Sequence, residues 1–180
     1  MREDEWRVPR NKGPARQQHA DKHEFIRETV ESLLKLGVIR KSQQPYYSQI
    51  HVAPKPHSTD FRFCIDYRAL NQATESFGWP LPRIDEMLTR LGAKKYKIFS
   101  VADLTSGFHQ TPLAEDCRKY SAFITPMGVY EFTRVPFGLK TAPSYFQEKM
   151  ASDVLSGLLY FICEIYIDDI ITGGDSSRIM

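Results

Sequence analysis

Residues 161–174, which read FICEIYIDDIITGG, place two aspartates side by side between two apolar, β-branched runs. In a continuous strand Asp168 and Asp169 would point to opposite faces of a sheet. Both carboxylates can reach one point only if the chain turns there, and Asp favours turns because its side chain hydrogen-bonds to nearby backbone. The stretch therefore predicts a tight hairpin with carboxylates at its tip. Taken alone, such a pair more often marks an ordinary solvated turn than a functional site.

The composition is that of an ordinary globular protein. The chain has 180 residues, of which 42% are hydrophobic and 26% are charged, and this length suits one core or two small subdomains. No apolar run is long enough to cross a bilayer, and the polar N-terminus lacks the apolar segment of a secretory signal. We therefore expect an intracellular protein, in the cytoplasm or the nucleus, with no membrane partner.

The charges are distributed unevenly along the chain. Residues 1–100 carry 18 Lys and Arg against 12 Asp and Glu, whereas residues 101–180 carry 6 against 10. A basic first part suits a polyanion, and an acidic second part that contains the paired aspartates suits divalent cations. A merely solvated surface would explain the same imbalance.

Apolar spacing predicts three helices, over 21–37, 79–92 and 141–158. The first is expected to begin at a capping box formed by Asp21 and Glu24. The second is expected to have prolines in its first turn and one apolar face formed by Ile84, Met87, Leu88 and Leu91. The third is expected to bury a stripe formed by Phe146, Met150, Val154 and Leu158. Residues 1–20 show no periodicity and are expected to form an extended or mobile arm.

Short β-branched and aromatic runs between the helices predict strands. They indicate a hairpin over 48–70 with a polar tip, a strand over 97–103 and a hairpin over 120–136. The order of helices and hairpins predicts an α+β fold with a mainly antiparallel sheet packed on helices.

A third aspartate ends the strand over 97–103. Asp103 is the only acid between Tyr96 and Leu104, and an acid at such a place often serves only as a helix N-cap. If this strand lies beside the hairpin that carries Asp168 and Asp169, three carboxylates meet at one edge of a sheet. Such crowding is unfavourable unless cations neutralise it, and hard oxygen donors suit Mg²⁺.

Several motifs in a fixed order carry a family resemblance. They read FRFCIDYRALNQAT, PLPRIDEML, FSVADLTSGFHQTPL, AFITPMGVYEFTRVPFGLKTAPSYFQEKM and YIDDIIT. Together, from about Leu33 to Thr172, they resemble the reverse transcriptases of Gypsy-type long-terminal-repeat retrotransposons.

The resemblance implies the fingers and palm of a right-hand polymerase. We expect the arm at 1–20, the fingers and the start of the palm at 21–97, and the palm at 98–180, with fingers elements interleaved around 115–135. Because the chain stops shortly after the Y-x-D-D motif, the thumb and any RNase H domain are expected to be absent and to belong to a parent polyprotein.

The resemblance also implies the catalytic residues. Asp103, Asp168 and Asp169 match the metal-binding aspartates, and the Leu104 carbonyl is expected to add a backbone oxygen. Two Mg²⁺ ions, with Mn²⁺ as the alternative, would serve the attack of a primer 3′-hydroxyl on a deoxynucleotide. The expected partners are an RNA or DNA template with its primer and the deoxynucleoside triphosphate.

Five further residues match the nucleotide site of the family, and one matches its template-primer contacts. Lys55 and Arg62, which flank the polar hairpin tip, correspond to cations that grip the triphosphate, although cations at hairpin tips also serve solubility. Phe108 corresponds to the aromatic sugar gate that rejects a 2′-hydroxyl. Phe137 and Gly138 are expected to line the pocket, and Tyr166 to contact the template-primer; packing alone would also explain these aromatic residues.

The leading hypothesis is therefore an RNA-directed DNA polymerase domain of a retrotransposon polyprotein. Two alternatives stay open on the sequence alone. One is a catalytically inactive remnant that binds nucleic acid, and the other is a metal-dependent nuclease that uses the same acids.

Overall fold

The computed structural model describes Trp6 and residues 13–175. In chain order its elements are α1 (Ala20–Lys35), β1 (Ile39–Lys41), β2 (Ser48–Pro54), β3 (Phe61–Ile65), α2 (Arg68–Ala73), α3 (Ile84–Ala93), β4 (Ile98–Asp103), α4 (Gly107–Gln110), α5 (Glu115–Arg118), a 3₁₀ turn (Lys119–Ser121), β5 (Phe123–Thr125), β6 (Gly128–Phe132), α6 (Ala142–Lys149), a π-helical turn (Met150–Val154), β7 (Cys163–Tyr166) and β8 (Asp169–Gly174). No helix among these is both long and apolar enough to span a membrane.

The chain folds into two compact units, and each unit takes two separate stretches of sequence. The first unit comprises Met1–Glu75 and Phe108–Ala142, and the second comprises Ser76–Gly107 and Pro143–Met180. The segment 115–135, where fingers elements are predicted to interleave, thus falls within the first unit.

The first unit contains a five-stranded sheet in the order β1-β6-β5-β2-β3. All neighbouring strands are antiparallel except β2 and β5, which pair in parallel. The apolar face of α1 packs on this sheet through Ile26 and Val30, and the cluster continues through Val38, Ile39, Ile50, Val52, Phe123, Tyr130 and Phe132. The predicted hairpins at β2–β3 and β5–β6 are confirmed, and this core explains why both form.

Helix α1 is confirmed, but the predicted capping box is wrong. The N-cap residue is His19, and its side chain makes no capping hydrogen bond. Asp21 lies inside the first turn, where its negative charge still interacts favourably with the positive end of the helix dipole. Glu24 instead pairs with Arg27 one turn further on.

The predicted N-terminal arm falls only partly within the described residues; residues 1–5 and 7–12 lie outside them. Trp6 has a helical rather than an extended backbone, and its ring is buried against Tyr67, Leu70 and Ala73. Residues 13–19 have no regular secondary structure. Within them Arg16 pairs with Asp66 and donates its backbone N–H to Gln49.

The second unit contains a three-stranded antiparallel sheet in the order β4-β8-β7. Its helices are shorter than the sequence predicts. The helix predicted over 141–158 is α-helical only to Lys149, and its last turn is π-helical. A π turn inserts extra backbone and shifts the phase of later residues. Phe146 and Met150 are buried as predicted, whereas Val154 is exposed, and Leu158, which lies beyond the last helical residue, is exposed as well.

Helix α3 begins at Ile84, after the prolines that were expected to form its first turn. Met87 and Leu91, one turn apart, are buried, whereas Ile84 and Leu88 are exposed. The buried stripe of this helix is therefore narrower than the predicted four-residue face.

Candidate functional site

Strand register sets Asp103 opposite Asp169. Strands β4 and β8 pair over six positions, from Ile98 opposite Gly174 to Asp103 opposite Asp169. Residues directly opposite in an antiparallel pair project from the same face, with Cβ atoms about 4.5–5.5 Å apart. The expectation that the strand over 97–103 lies beside the Asp-Asp hairpin is thus confirmed.

The predicted turn between the two apolar runs is a two-residue loop. Tyr166 and Asp169 are register partners, so Ile167 and Asp168 form the loop itself. Ile167 has a φ of 58°, in the left-handed region. The carbonyl of Asp168 accepts a hydrogen bond of 3.2 Å from the N–H of Leu104, which ties the loop to the residue after Asp103.

The side chains of this edge are accessible to solvent. Asp103 and Asp169 are exposed, and Asp168 and Tyr166 are half-buried. The Leu104 carbonyl, the predicted backbone ligand, already accepts a hydrogen bond of 3.1 Å from the Gly107 N–H and keeps a second lone pair.

The backbone aligns the aspartates, but their side chains do not converge. Over Trp6 and residues 13–175, no three His, Cys, Asp or Glu side chains are close enough together to hold a metal ion. Exposed like charges repel one another, which favours their separation in water. The donor set itself, carboxylate oxygens with a free carbonyl lone pair, is what a hard divalent cation prefers.

A residue on α6 that hydrogen-bonds to the Ile167–Asp168 loop was not predicted from the sequence. Gln147, on α6, is only 2% exposed. Its Oε1 accepts a hydrogen bond of 2.7 Å from the Ile167 N–H, and its Nε2 donates one of 3.3 Å to the Ile165 carbonyl. No pattern marked it, because a polar residue beside the buried Phe146 reads as the solvent side of a helix.

An ion pair between a buried carboxylate and a half-buried arginine, at the base of the same hairpin, was also missed. Glu164, in the middle of β7, is 1% exposed and receives two hydrogen bonds from Arg90 on α3, of 2.7 and 2.9 Å. The carboxylate raises the pKa of Arg90, mainly through these hydrogen bonds. The guanidinium also lies 4.8 Å from the centre of the Tyr160 ring, a cation–π distance.

Two predicted nucleotide-pocket residues are in contact within the first unit. The rings of Phe108 and Phe137 meet edge to face with centroids 4.9 Å apart. His109, which the sequence analysis did not single out, joins them at 5.2 Å from Phe137 and stacks on Phe132. Burial lowers the pKa of His109, which favours the neutral form of the ring. Phe137 is 49% exposed, which leaves its ring accessible to a ligand.

Gly138 needs to be glycine for a conformational reason. Its φ is 91°, whereas a Cβ added there would meet nothing closer than 3.6 Å. Asn71 holds this loop at both ends: its side chain donates to the Gly138 carbonyl and accepts from the Lys140 N–H, each at 2.8 Å. Asn71 is thus a further residue that shapes the predicted pocket.

Lys55 and Arg62 lie on the β2–β3 hairpin of the first unit, and both are exposed. The Lys55 ammonium pairs with Asp60 across the tip at 3.3 Å. Arg62 is the register partner of Ala53 and projects from the exposed face of β3. Their predicted contact with a triphosphate stays a prediction.

Directly after β3, Asp66 forms a charged cluster with two arginines. Arg68 binds its carboxylate through two nitrogens at 2.8 Å, and Arg16 approaches to 3.3 Å. The hydrogen bonds from Arg68 lower the pKa of Asp66 from 3.8 to about 2. Both arginines line a cleft of about 370 Å³ that also includes Gly138, so cationic side chains border the predicted pocket loop.

Comparison with protein families supports the motif-based resemblance. A family model described as reverse transcriptase (RNA-dependent DNA polymerase) matches residues 53–179. This range includes every predicted site residue from Lys55 to Asp169.

The chain is also similar to polyproteins of transposable elements and viruses. It is 42% identical over 153 residues to the retrovirus-related Pol polyprotein from transposon gypsy of Drosophila melanogaster, which covers 82% of this chain and 14% of that protein. For transposon opus of the same organism the identity is 41% over 150 residues, covering 81% and 15%. The enzymatic polyprotein of cauliflower mosaic virus (strain Strasbourg) is 37% identical over 161 residues, covering 88% and 23%. The chain thus spans less than a quarter of each of these relatives.

Solved structures share the fold. The foamy viral protease-reverse transcriptase in complex with RNA/DNA hybrid superposes with a TM-score of 0.77 at 28% identity, covering 91% of this chain and 22% of that one. The foamy viral protease-reverse transcriptase described as dRH, in complex with double-stranded DNA, gives a TM-score of 0.71 at 28% identity, covering 91% of this chain and 28% of that one.

Proposed function

Because the chain belongs to the reverse transcriptase (RNA-dependent DNA polymerase) family, we propose that it is the RNA-directed DNA polymerase domain of a retrotransposon polyprotein. Its fold is accordingly the fingers and palm of a right-hand polymerase. The observation that carries the proposal is the register of β4 with β8, which sets Asp103 opposite Asp169 beside the loop that contains Asp168.

The three aspartates would hold two Mg²⁺ ions, or Mn²⁺ in their place, with the Leu104 carbonyl as an additional oxygen ligand. Bound there, such ions activate an attacking hydroxyl and stabilise a leaving oxygen in phosphoryl transfer. The protein contributes the position of the carboxylates and their negative charge, and no covalent bond to the protein is needed.

The remaining predicted residues would bind and select the nucleotide. Lys55 and Arg62 supply positive charge for the triphosphate, and a contact of this kind would replace the present Lys55–Asp60 pair. Phe108 would exclude a 2′-hydroxyl by its bulk, and its edge-to-face contact with Phe137 supports the ring in that role. Gly138 completes the pocket loop, and Tyr166 would contact the template-primer from the strand that leads into the turn.

The proposed partners are a template with its primer and a deoxynucleoside triphosphate. The surplus of Lys and Arg over residues 1–100 suits the phosphates of both. RNA/DNA hybrid and double-stranded DNA are bound by the structural neighbours. In the longer relatives the segments outside this match, which we expect to include the thumb and an RNase H domain, would contribute to holding the duplex. We place the protein inside the cell, in the cytoplasm or the nucleus.

A second candidate is a remnant that binds nucleic acid without turnover. The observation that favours it is the cleft of about 370 Å³ bordered by Arg16 and Arg68, whose positive charges suit phosphates. Under this reading the cleft binds nucleic acid, and the aspartates take no part in turnover.

Primer extension on an RNA template with Mg²⁺ and deoxynucleotides separates the candidates. Asp168→Asn is expected to lower the extension rate by more than about a hundredfold, because it removes a charged ligand at the centre of the site. Asp175→Asn, the same change at an exposed carboxylate just beyond β8, is the matched control and should leave the rate unchanged.

The assay is run with this chain and with a longer chain that continues as the transposon relatives do. Equal extension by the parent chain and Asp168→Asn would contradict the proposed site. Binding of the template-primer with no extension by either length would favour the remnant, and degradation of the template would indicate a nuclease.

A further inference from the structure

The loop that presents the aspartates has an unusual backbone. Ile167 lies at a φ of 58°, and a β-branched side chain in the left-handed region is disfavoured by clashes with its own backbone. A two-residue hairpin loop with positive φ at its first position ordinarily has glycine there. Such a conformation persists only when the surrounding structure holds it.

Gln147 is the side chain that holds it from the helical layer. Its amide accepts a hydrogen bond from the Ile167 N–H and donates one to the Ile165 carbonyl, so it joins the residues on either side of Tyr166. Because the side chain is 2% exposed, water offers little replacement for either bond. A buried amide with both ends engaged fixes the path of the chain that it touches.

The helix that carries Gln147 is itself seated against the segment that follows Asp103. A Cβ at Gly107 would lie 3.1 Å from Cζ of Phe146, so glycine permits this close approach. On the opposite side of the loop, the Leu104 N–H binds the Asp168 carbonyl. The loop is therefore attached to α6 through Ile167 and to the end of β4 through Asp168.

We propose that Gln147 is a positioning residue of the polymerase site: its amide keeps the Ile167–Asp168 loop in the strained conformation that presents Asp168 and Asp169 beside Asp103. The catalytic consequence rests on the proposed function, whereas the effect on the loop does not. Gln147 acts through the backbone of the loop and not through contact with a nucleotide.

The first test measures the loop directly. Gln147→Met keeps a side chain of similar length but removes both hydrogen bonds. Amide hydrogen exchange at Ile167, followed by NMR, is expected to accelerate by about tenfold or more, since a lost hydrogen bond of this kind exposes the amide by local opening. Glu148→Met, which introduces methionine at the next position of α6, is the control and should leave the exchange rate of the Ile167 amide unchanged.

The second test measures catalysis. In primer extension Gln147→Met should lower kcat by about tenfold and change the deoxynucleotide KM by less than about threefold, because misplaced carboxylates slow the chemical step without removing a nucleotide contact. Urea unfolding of the same variants shows whether the whole fold is weakened.

A rescue variant distinguishes positioning from packing. Ile167→Gly removes the β-branched side chain from the left-handed backbone, so the loop needs less support. Gln147→Met lowers kcat by some factor in the parent chain. In the Ile167→Gly background the same substitution should lower kcat by a factor at least about threefold smaller. A Gln147→Met chain that fails to fold, while Gln147→Met/Ile167→Gly folds, supports the proposal in the same way.

Three results would overturn the inference: unchanged exchange at Ile167 in Gln147→Met, an equal kcat loss in both backgrounds, or unfolding of both Gln147→Met chains. If no chain, the parent included, extends a primer, the proposed function fails, and the exchange rate of the Ile167 amide still decides whether Gln147 holds the loop.

Discussion

The β2–β3 hairpin of the first unit and the β7–β8 hairpin of the second unit both have a disfavoured backbone conformation at the tip, and they stabilise it by different contacts. Each carries a non-glycine residue with positive φ at its tip, His57 at 57° and Ile167 at 58°. Residues 55–60 connect β2 to β3, whereas only two residues connect β7 to β8. His is among the residues that adopt this conformation more readily, and a β-branched residue is not.

The longer tip supports itself. The Lys55 N–H donates to the Asp60 carbonyl and the Asp60 N–H donates to the Ser58 hydroxyl, at 2.9 and 3.0 Å. All of these residues are exposed. The shorter tip is bound by Gln147 and Leu104, which lie far from it in sequence.

The arginine–carboxylate pairs at the bases of the two hairpins also differ in their exposure to solvent. Each has a carboxylate bound by arginine, Asp66 directly after β3 and Glu164 within β7. Asp66 remains 16% exposed and its partner Arg68 is 84% exposed, whereas Glu164 is 1% exposed and its partner Arg90 is 35% exposed. The hairpin predicted to grip the triphosphate is thus held by largely solvated interactions, and the hairpin that places the aspartates is held by a carboxylate that is almost fully buried.

The largest expected effect comes from removing the arginine that pairs with the buried Glu164 carboxylate. Arg90→Met leaves the Glu164 carboxylate buried without a partner, which should lower the free energy of unfolding by about 3–5 kcal/mol. Urea unfolding at neutral pH measures the change. In the double variant Arg90→Met/Glu164→Leu the charge is gone, and most of the loss should be recovered; a loss below about 1 kcal/mol in the single variant would contradict the buried role of this pair.

A smaller effect is expected at the solvated base. Asp66 has a pKa of about 2 in the folded chain against 3.8 for the ordinary group, so its ion pair stabilises the fold above pH 4 and the contribution is lost as the pH falls through 2. Because Arg68 is largely exposed, we expect Asp66→Asn to cost only about 1–2 kcal/mol at pH 7.

Urea unfolding at pH 7, 4, 3 and 2 measures this second change. The difference between the parent chain and Asp66→Asn should be constant down to about pH 4 and should vanish near pH 2. A difference that grows on acidification would show that the pKa of Asp66 is raised and not lowered.

The smallest effect is expected at the solvated tip. The Lys55–Asp60 pair has side chains that are 45% and 65% exposed, so Asp60→Asn should change the free energy of unfolding by less than about 0.5 kcal/mol. The same urea titration serves here. A loss above about 1 kcal/mol would mean that the two hairpins are less different than their burial indicates.

Local sequence patterns predicted which helices and hairpins form better than they predicted where the helices end. Helix α1 and the hairpins β2–β3, β5–β6 and β7–β8 follow from residues close together in sequence, where apolar period and turn chemistry act. The predictions that Val154 and Leu158 are buried were wrong, because a π turn after Lys149 changed the helical phase and the helix ended at Val154, before Leu158. That turn is not encoded in the spacing of apolar residues.

For the candidate site, pattern reasoning identified the residues that carry charge or rings and missed those that hold them. Asp103, Asp168 and Asp169 stand out because acids interrupt apolar runs. Gln147 and Arg90 do not stand out, since their partners Ile167 and Glu164 lie 20 and 74 positions away. Such pairs exist only after strands and helices have packed.

The sequence by itself determined that the chain has hairpins, amphipathic helices and three aspartates at the ends of apolar runs, together with the motifs of a reverse transcriptase. The tertiary structure decided which residues face each other: the register that sets Asp103 opposite Asp169, the amide that supports Ile167, and the arginine that pairs with Glu164. The physical reason is range, because periodicity and turn chemistry act over a few residues, whereas register and buried polar pairing depend on how distant segments pack.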